Sequence, residues 1–349
     1  MPNTRFYEDP PPAVPCTAVC AETAAARRFL SVFFSTVLLG LGAFVAAHLA
    51  LEREGLLPSP PLTATNCLDG KLADMRGLPL EDRTLVATGS SATWRNLDMA
   101  VFERRLPGTR AYNAAPCYLH MDQIAYFTGF MLERMPRVET VVTVVAPRDF
   151  DACPPEQTAI FDASLTDAFL SGLVPRWLPY LTGFRPPYLA REALDAHQER
   201  EQARLAAGAG IARPVPVTDA YGSSVLARYM EWRPPLRLDP RCYAGLAALE
   251  ATVAARGARL VVATLPTMPD WAAAFDPEGR AIEEWTRRMA ASLRRETSLL
   301  VDGRALPWDD SRFADPVHVI YPNHRPYTEF VASAMAERRP PPPPRTAER

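Results

Sequence analysis

The sequence predicts an α/β fold, in which a parallel sheet carries helices on both sides and follows one membrane-spanning helix. Two apolar segments, Thr140 to Ala146 (TVVTVVA) and Arg259 to Leu265 (RLVVATL), lack polar alternation, as strands buried on both faces do. Segments with helical spacing of apolar residues separate such strands, and that alternation is typical of parallel sheets. A long uncharged segment near the amino terminus predicts the membrane helix.

The predicted transmembrane helix covers Phe29 to Leu51 (FLSVFFSTVLLGLGAFVAAHLAL), which contains no Asp, Glu, Lys or Arg. About 20 such residues cross the hydrocarbon core of a bilayer. A cleaved signal peptide is the alternative, but the apolar segment is longer than the usual core of 7–15 residues. Arg27 and Arg28 precede the helix, so the positive-inside rule places residues 1–28 in the cytoplasm and the rest outside. In a bacterium, this arrangement is a single-pass inner-membrane protein with a periplasmic domain.

The segments around this helix predict the domain organisation. Residues 1–28 are proline-rich and predict a disordered cytoplasmic tail, and residues 52–82 predict a stalk or linker. The α/β domain is predicted over residues 83–338, with an insertion at about 154–240 that interrupts the alternation of strands and helices. Residues 339–349 contain five consecutive prolines and predict a solvated tail.

Within the domain, five strands and five helices are predicted in alternation. The strands are Thr84–Thr88, Arg110–Asn113, Thr140–Ala146, Arg259–Leu265 and Ser298–Asp302, and the helices are Asn96–Leu106, Met121–Met135, Cys242–Arg256, Pro277–Thr297 and Tyr327–Arg338. Together these elements predict a flavodoxin-like three-layer α/β/α fold. A further charged helical segment is predicted at Tyr188 to Ala207, inside the insertion.

The composition excludes several classes of function. With 38 Lys and Arg against 40 Asp and Glu, the formal net charge is −2, so no basic field attracts nucleic acid. Six cysteines without a Cys-x-x-Cys pair do not predict a structural zinc site. No metal and no cofactor are expected.

Candidate catalytic residues follow the predicted strands, because open parallel sheets form their sites at the carboxyl ends of strands. Gly89-Ser90-Ser91 follows the first strand, and Asp315-Pro316-Val317-His318 precedes the last helix. A serine hydroxyl needs a base within hydrogen-bond reach, and that base needs an orienting group. Ser91, His318 and Asp315 provide the nucleophile, the base and the acid. Each also has an ordinary structural interpretation, Ser91 as a helix cap and His318 as a locally bonded histidine.

These two blocks resemble those of the SGNH (GDSL-type) hydrolase superfamily, which has a Gly-Asp-Ser-like turn after its first strand and Asp-x-x-His before its final helix. The membrane helix and the Gly89-Ser90-Ser91 variant resemble more closely the D-alanyl-lipoteichoic acid transfer protein branch and related envelope polysaccharide acylation proteins. The resemblance covers about residues 83–336 and leaves the middle unmatched. It implies a triad of Ser91, His318 and Asp315, and a membrane-bound acyl-exporting partner.

The chain departs from the family pattern in the two middle blocks. The loop beginning at Asn113 (NAAPCY) lacks the family's oxyanion-hole glycine, and Ala146-Pro147-Arg148-Asp149 stands where Gly-x-Asn-Asp is typical. The resemblance therefore makes Arg148, Asn113 and Asp149 the candidate oxyanion or substrate-binding residues. Loss of one oxyanion donor typically lowers turnover by about 10²–10³-fold. A slow hydrolase, a transferase or a degenerate site would each fit these departures. Arg148 also has a structural interpretation, as the ion-pair partner of Asp149 or Asp151.

The family topology also implies a disulfide. Cys117 follows the second strand and Cys153 follows the third, so the resemblance allows a bond between them near the site. Cys67 and Cys242 would then remain as a second pair, and four reduced cysteines are the alternative.

Two functions from different classes are predicted. The first is a membrane-anchored serine O-acyltransferase or esterase acting on acetyl-like groups of an envelope or extracellular polysaccharide. The alternative is a non-catalytic, membrane-tethered polysaccharide-binding or scaffold protein on a degenerate SGNH fold, with a groove lined by Trp94, Trp177, Trp232 and Trp271. An ordinary α/β-hydrolase is disfavoured because the Gly-x-Ser-x-Gly motif ends here at Thr93.

Overall fold

A computed structural model describes residues 16–153, 159–183, 185–191, 194 and 218–338. The chain divides into two compact units, Met1–Leu57 and Pro58–Arg349. The predicted amino-terminal tail lies partly, and the carboxyl-terminal tail wholly, outside the described residues, as do residues 195–207 of the predicted charged helix.

The first unit contains one long helix, α1 (Cys16–Arg53). Its segment from Thr23 to Arg53 contains an 18-residue window with a mean hydropathy of 2.2 and is long and apolar enough to cross a membrane. The helix begins well before Phe29, because Cys16 to Ala26 are mostly small residues that do not interrupt a helix.

The second unit contains a five-stranded parallel sheet with the order β2-β1-β3-β4-β5. All five predicted strands are present, some of them shorter than predicted. They are β1 (Leu85–Ala87), β2 (Ala111–Asn113), β3 (Thr140–Val145), β4 (Arg259–Thr264) and β5 (Leu299–Val301). Almost every strand residue is buried, which explains why the sequence of the strands does not alternate.

Residues 186–191 of this unit are helical, and ten further helices have both of their bounds within the part that the structure describes. They are α2 (Asn66–Met75), α3 (Ser91–Asn96), α4 (Met99–Arg105), α5 (Met121–Arg134), α6 (Ala163–Leu170), α7 (Pro179–Thr182), α8 (Cys242–Ala255), α9 (Pro269–Phe275), α10 (Arg280–Ser292) and α11 (His324–Glu337). Helix α5 packs against α8, α8 against α10, and α4 against α11. A two-stranded antiparallel hairpin, β6 (Phe313–Asp315) and β7 (His318–Val319), precedes α11.

The predicted helix at Asn96–Leu106 corresponds to α4, which begins three residues later than predicted, and a short helix that was not predicted, α3, precedes it. Helix α3 ends at Asn96, and α4 begins after Asp98, whose side chain accepts a hydrogen bond from the Ala100 amide at 3.0 Å. An aspartate in this position is a strong helix N-cap, so the helix begins after Asp98 and not at Asn96, where apolar spacing alone places its start. The break between the two helices turns α3 toward the β6–β7 hairpin.

The two disulfides join Cys67 to Cys117 and Cys153 to Cys242, with Cα separations of 5.9 and 5.2 Å. The predicted Cys117–Cys153 bond is therefore wrong. Strand β1 lies between β2 and β3, so the loops that carry Cys117 and Cys153 follow strands that are two positions apart. Two strand spacings are about 9–10 Å, which exceeds the Cα separation of ~7 Å that a disulfide tolerates.

We expect peptide mapping of the non-reduced full chain to recover both observed disulfides. Digestion without reductant and mass spectrometry should yield a cross-linked peptide pair containing Cys67 with Cys117, and another containing Cys153 with Cys242. A sample alkylated after reduction serves as the control and should contain neither pair. A Cys117–Cys153 pair, or four free thiols in the non-reduced sample, would contradict the described pairing.

Candidate active site

Ser91 lies at the carboxyl end of β1, as the first residue of α3. The chain leaves the strand at Ala87 and turns through Gly89, and Ser90 caps the helix with its hydroxyl, which accepts a hydrogen bond from the Ala92 amide at 3.2 Å. Ser90 is buried, whereas Ser91 is partly exposed. The cap role therefore belongs to Ser90, and the Ser91 side chain is available for chemistry.

Gly89 permits the close packing of this turn. A Cβ atom at Gly89 would overlap the Thr93 side chain, with the Thr93 Cβ only 2.8 Å away. The Thr93 hydroxyl donates to the Val144 carbonyl oxygen and accepts from the Val144 amide, both at 2.9 Å. Thr93 thus fixes α3 to the end of β3, and Gly89 leaves the space that this contact needs.

We expect Gly89→Ala to lower the free energy of unfolding by about 1–3 kcal/mol, because overpacking displaces side chains from a closely packed turn. Gly70→Ala is the matched control. The nearest atom to a Cβ there is the Ser59 hydroxyl at 3.7 Å, and alanine favours the helix. Denaturant unfolding of the full chain in detergent measures both changes. Equal stability of the two variants would contradict the close packing at Gly89.

Asp315 and His318 form a buried pair in the β6–β7 hairpin. His318 Nδ1 lies 2.8 Å from Asp315 Oδ2, and Asp315 Oδ1 accepts a second bond from the Val317 amide at 2.7 Å. Asp315 is fully buried, and His318 is 7% exposed. Because a carboxylate only accepts hydrogen bonds, this geometry places the proton on Nδ1 and leaves Nε2 as the acceptor that a general base requires.

Asn96 connects this hairpin to the helix that carries Ser91. Its side-chain amide donates to the Val317 carbonyl oxygen at 2.9 Å, and its side-chain oxygen accepts from the Val319 amide at 2.8 Å. The two contacts hold the backbone on both sides of His318. Asn96 is completely buried, yet the motif comparison did not single it out. The sequence feature that could have identified Asn96 is its position as a polar residue at the end of the short segment that follows Ser91.

The structure therefore brings the three predicted catalytic residues into adjoining elements, since α3 packs against β7. Within the described residues, His318 Nε2 has no hydrogen-bond partner, so the Ser91 hydroxyl does not bond to it in this conformation. Catalytic hydrogen bonds of unliganded enzymes are often long and shorten when substrate binds. The arrangement provides an imidazole oriented by Asp315, in a hairpin that packs against the helix that begins at the partly exposed Ser91.

Asn113, at the end of β2, is buried, and its side chain bonds to the backbone of α3. Its side-chain amide donates to the carbonyl oxygens of Thr93 and Trp94, both at 3.2 Å, and to the Ser223 hydroxyl at 3.1 Å. Its side-chain oxygen accepts from the Ala115 amide at 3.1 Å. In this state Asn113 holds the last turn of α3 in place, and its predicted role toward substrate stays a prediction.

Arg148 and Asp149 follow β3 in a 3₁₀ turn (Pro147–Phe150). Arg148 is partly exposed and forms an ion pair with Asp151, which was one of its two predicted structural partners. Asp149 is buried and accepts a hydrogen bond from the Ala146 amide at 2.9 Å. Burial raises the pKa of the Asp149 carboxyl to about 7, although hydrogen bonds from Ser90 and Ala146 oppose the increase. Their predicted substrate contacts also stay predictions.

Residues 218–240, the last part of the insertion, form an extended strap along the carboxyl edge of the sheet. The strap begins beside β2, where the Asn113 amide donates to the Tyr221 carbonyl oxygen at 2.8 Å. It then passes the β6–β7 hairpin, where the Met230 amide donates to the Ala314 carbonyl oxygen at 2.8 Å.

The far end of the strap reaches the loops after β4 and β3. The Trp271 indole donates to the Pro234 carbonyl oxygen, and the Asp239 amide donates to the Phe150 carbonyl oxygen, both at 2.7 Å. A proline-rich segment with backbone contacts of this kind has no apolar periodicity, so the sequence predicted only an insertion. The strap forms one border of the candidate site.

The tryptophans predicted for a sugar-binding groove separate into two kinds. Trp94 and Trp271 are buried, and their indole nitrogens donate to backbone carbonyl oxygens, so both act in packing. Trp177 is partly exposed, and Trp232, on the strap, is 38% exposed. Of these residues, Trp232 has the larger surface available for a ligand.

The only lysine of the chain, Lys71, lies buried beneath α3. Its ammonium donates to the Gly222 carbonyl oxygen at 2.5 Å and lies 5.7 Å from the centre of the Trp94 ring. Burial lowers the pKa of Lys71 to about 7, and the charges of Asp74 and Asp219 oppose the decrease. Lys71 therefore links α2, α3 and the strap.

Among the residues that the structure describes, no group of three or more His, Cys, Asp or Glu side chains has the arrangement of a metal site. A comparison with models of protein families matched none of them, and a search of curated protein sequences found no significant match.

Proposed function

We propose that this chain is a membrane-anchored serine acyltransferase or esterase that acts on O-acyl groups of an envelope or extracellular polysaccharide. The observation that carries the proposal is the buried Asp315–His318 pair, whose Nε2 has no bonding partner among the described residues and lies in a hairpin fixed to the Ser91 helix. A carboxylate, an imidazole and a hydroxyl in adjoining elements are the components of nucleophilic acyl transfer.

In the proposed reaction, the Ser91 oxygen attacks the carbonyl carbon of an acyl ester while His318 Nε2 accepts the hydroxyl proton. The ester bond to the leaving alcohol breaks, and His318 returns the proton to that alcohol, which leaves an acyl group on Ser91. Water or a sugar hydroxyl then attacks this acyl-enzyme, and His318 again accepts and returns the proton. Asp315 keeps the proton on Nδ1 throughout and stabilises the imidazolium that forms.

The attack of Ser91 places a negative charge on the carbonyl oxygen of the ester, and hydrogen-bond donors near that oxygen must stabilise it. We assign this role to Arg148, which has five N–H donors and an ion pair with a single described carboxylate. Asn113 and Asp149 support the site without contacting the oxyanion. Asn113 holds the last turn of α3, and Asp149 holds the Ser90 hydroxyl. The strand order supports a flavodoxin-like three-layer arrangement, in which sites form where the order reverses, here between β1 and β3.

The proposed location is the bacterial inner membrane, with α1 as a single transmembrane anchor and the catalytic unit in the periplasm. Arg27 and Arg28 at the start of the apolar segment, together with two disulfides in the second unit, support this orientation. Alkaline phosphatase fused after Arg349 should be active, and a fluorescent protein that matures only in the cytoplasm should be dark. The reverse pattern would contradict the orientation.

The catalytic proposal is tested by acetyl release from 4-nitrophenyl acetate and from an O-acetylated polysaccharide, with the purified full chain in detergent. Turnover above the protein-free rate, with acetate or an acetylated acceptor sugar as product, is the expected result. A membrane-bound acyl-exporting protein is the proposed partner that delivers the donor in the cell. Binding of the polysaccharide without turnover of either ester would favour the non-catalytic alternative.

A further inference from the structure

Arg95 is a cation beside the candidate active site that the reaction described above does not use. It lies four residues after Ser91 in α3, and residues at this spacing share one face of a helix. Its guanidinium lies over the Trp94 ring at 4.4 Å from the ring centre, and it donates one hydrogen bond, to the Ser224 hydroxyl at 3.3 Å. Arg95 is thereby held on the same side of α3 as the nucleophile.

The charge of Arg95 is incompletely neutralised. Among the residues that the structure describes, no carboxylate lies within ion-pair distance of its guanidinium. Burial lowers the pKa of Arg95, while the Tyr118 hydroxyl and the Asp315 carboxylate oppose the decrease, so both groups are near it. Arg95 is partly exposed, so a ligand in solution can reach its guanidinium. An unpaired guanidinium with four further N–H donors therefore has the chemistry to bind an anion.

The loop with Tyr118 borders the same place. Tyr118 has a φ of 60°, in the left-handed region that non-glycine residues seldom adopt, and its side chain is 74% exposed. The disulfide of the preceding residue, Cys117, attaches this loop to α2. Cys117 also packs against Trp94, the residue whose ring lies under the Arg95 guanidinium. The loop therefore carries an exposed phenol, a hydrogen-bonding and stacking group, into the neighbourhood of the cation.

We propose that Arg95, with Tyr118 beside it, binds an anionic group of the polymer whose ester reacts at Ser91, so that the enzyme prefers anionic over neutral polysaccharides. The anion is a carboxylate or a phosphate, since a guanidinium binds either in the same bidentate way. This inference rests on the proposed function. It makes Arg95 a specificity-determining residue, because Arg95 contacts an anionic group of the polymer and does not contact the ester that reacts.

The test compares O-acetylated polygalacturonate with its methyl-esterified form, in which the carboxylates are neutral, and follows acetate release so that hydrolysis of the methyl esters is not counted. For Arg95→Gln, we expect the KM for the anionic polymer to rise about tenfold or more, as loss of a charged hydrogen bond does. The KM for the methyl-esterified polymer and the kcat for 4-nitrophenyl acetate should change less than about twofold. Arg105→Gln on α4, which also removes one positive charge, is the matched control and should leave both polymers unaffected.

Arg95→Lys keeps the charge without the planar fork. It should give an intermediate KM, and it keeps the comparison valid if Arg95→Gln folds poorly. Competition with galacturonate and with glycerol 2-phosphate shows whether the bound anion is a carboxylate or a phosphate. The compound that carries the bound group should inhibit wild type more strongly than it inhibits Arg95→Gln. An equal change of KM for both polymers, or no change for either, would overturn the inference while leaving the proposed function in place.

A lower kcat for 4-nitrophenyl acetate with a shifted pH profile would assign Arg95 a positioning role through Asp315 and would also overturn the inference. If wild type hydrolyses none of the esters, the proposed function fails, and the anion site is then tested by measuring polymer binding directly. Calorimetric binding of unacetylated polygalacturonate that is lost in Arg95→Gln would support the anion site. Equal binding by both proteins would contradict it.

Discussion

Ser91→Ala is expected to lower the turnover of a small acetyl ester by about 10⁴-fold or more, because loss of a serine nucleophile removes the covalent pathway. The substitution keeps the fold, since alanine is favourable at the first position of α3 and Ser90 supplies the cap. The measurement is kcat/KM for 4-nitrophenyl acetate with the full chain in detergent, together with a denaturant unfolding curve that confirms equal stability.

Ser292→Ala provides the matched control for this result. Ser292 lies on α10, and its hydroxyl bonds within its own helix to the Arg288 carbonyl oxygen at 2.8 Å. Its loss should leave both turnover and stability near wild type. Turnover of Ser91→Ala within tenfold of wild type would remove Ser91 from the mechanism.

Asp315→Asn should lower kcat by about 10⁴-fold with little change in fold, as expected when the acid that orients a catalytic histidine becomes an amide. The side-chain oxygen of asparagine can still accept from the Val317 amide, which Asp315 Oδ1 does now at 2.7 Å. The amide group then faces His318 Nδ1, which must accept instead of donate. The proton moves to Nε2, and the imidazole cannot take the proton of Ser91.

Asp270→Asn is the control for this substitution, because Asp270 is an exposed carboxylate at the start of α9. It should leave kcat unchanged. An Asp315→Asn enzyme with wild-type kcat would show that the buried Asp315–His318 pair is structural.

The strands of the sheet were predictable because burial on both faces leaves a direct record in the sequence. Thr140 to Val145 and Arg259 to Thr264 are paired along their full length in the centre of the sheet, and their uninterrupted apolar residues follow from that position. The shorter strands at Leu85 and Leu299 were also recognisable, because helical patterns flank them. Apolar periodicity thus sufficed for elements whose side chains form the core.

Other parts depend on polar contacts between distant residues, which periodicity does not record. Asn96 bonds to Val317 and Val319, more than two hundred positions away in the chain, and it lies at the end of α3, which the sequence did not predict. The strap is fixed by backbone hydrogen bonds such as that from Met230 to Ala314, which any residue can make. The disulfides depend on strand order, which the motif spacing alone does not specify.

The candidate site was predictable in part for the same reason. Asp315 and His318 are three residues apart, so their contact is local and the motif found it. Ser90 and Ser91 are adjacent, and the structure separates their roles by burying the first as a cap. Arg95 was not singled out, because its importance lies in the missing counter-ion, and only the packed structure shows which carboxylates are near it.

The most direct test of the account is to locate the nucleophile chemically. The full chain is treated with a fluorophosphonate, which forms a stable bond with an activated serine, and the modified residue is identified by peptide mass spectrometry. We expect one adduct, on Ser91, that is absent from the His318→Ala and Ser91→Ala proteins. Labelling of Ser90, Ser223 or Ser224 instead, or equal labelling of Ser91 without His318, would contradict the assignment of Ser91 and His318 as nucleophile and base.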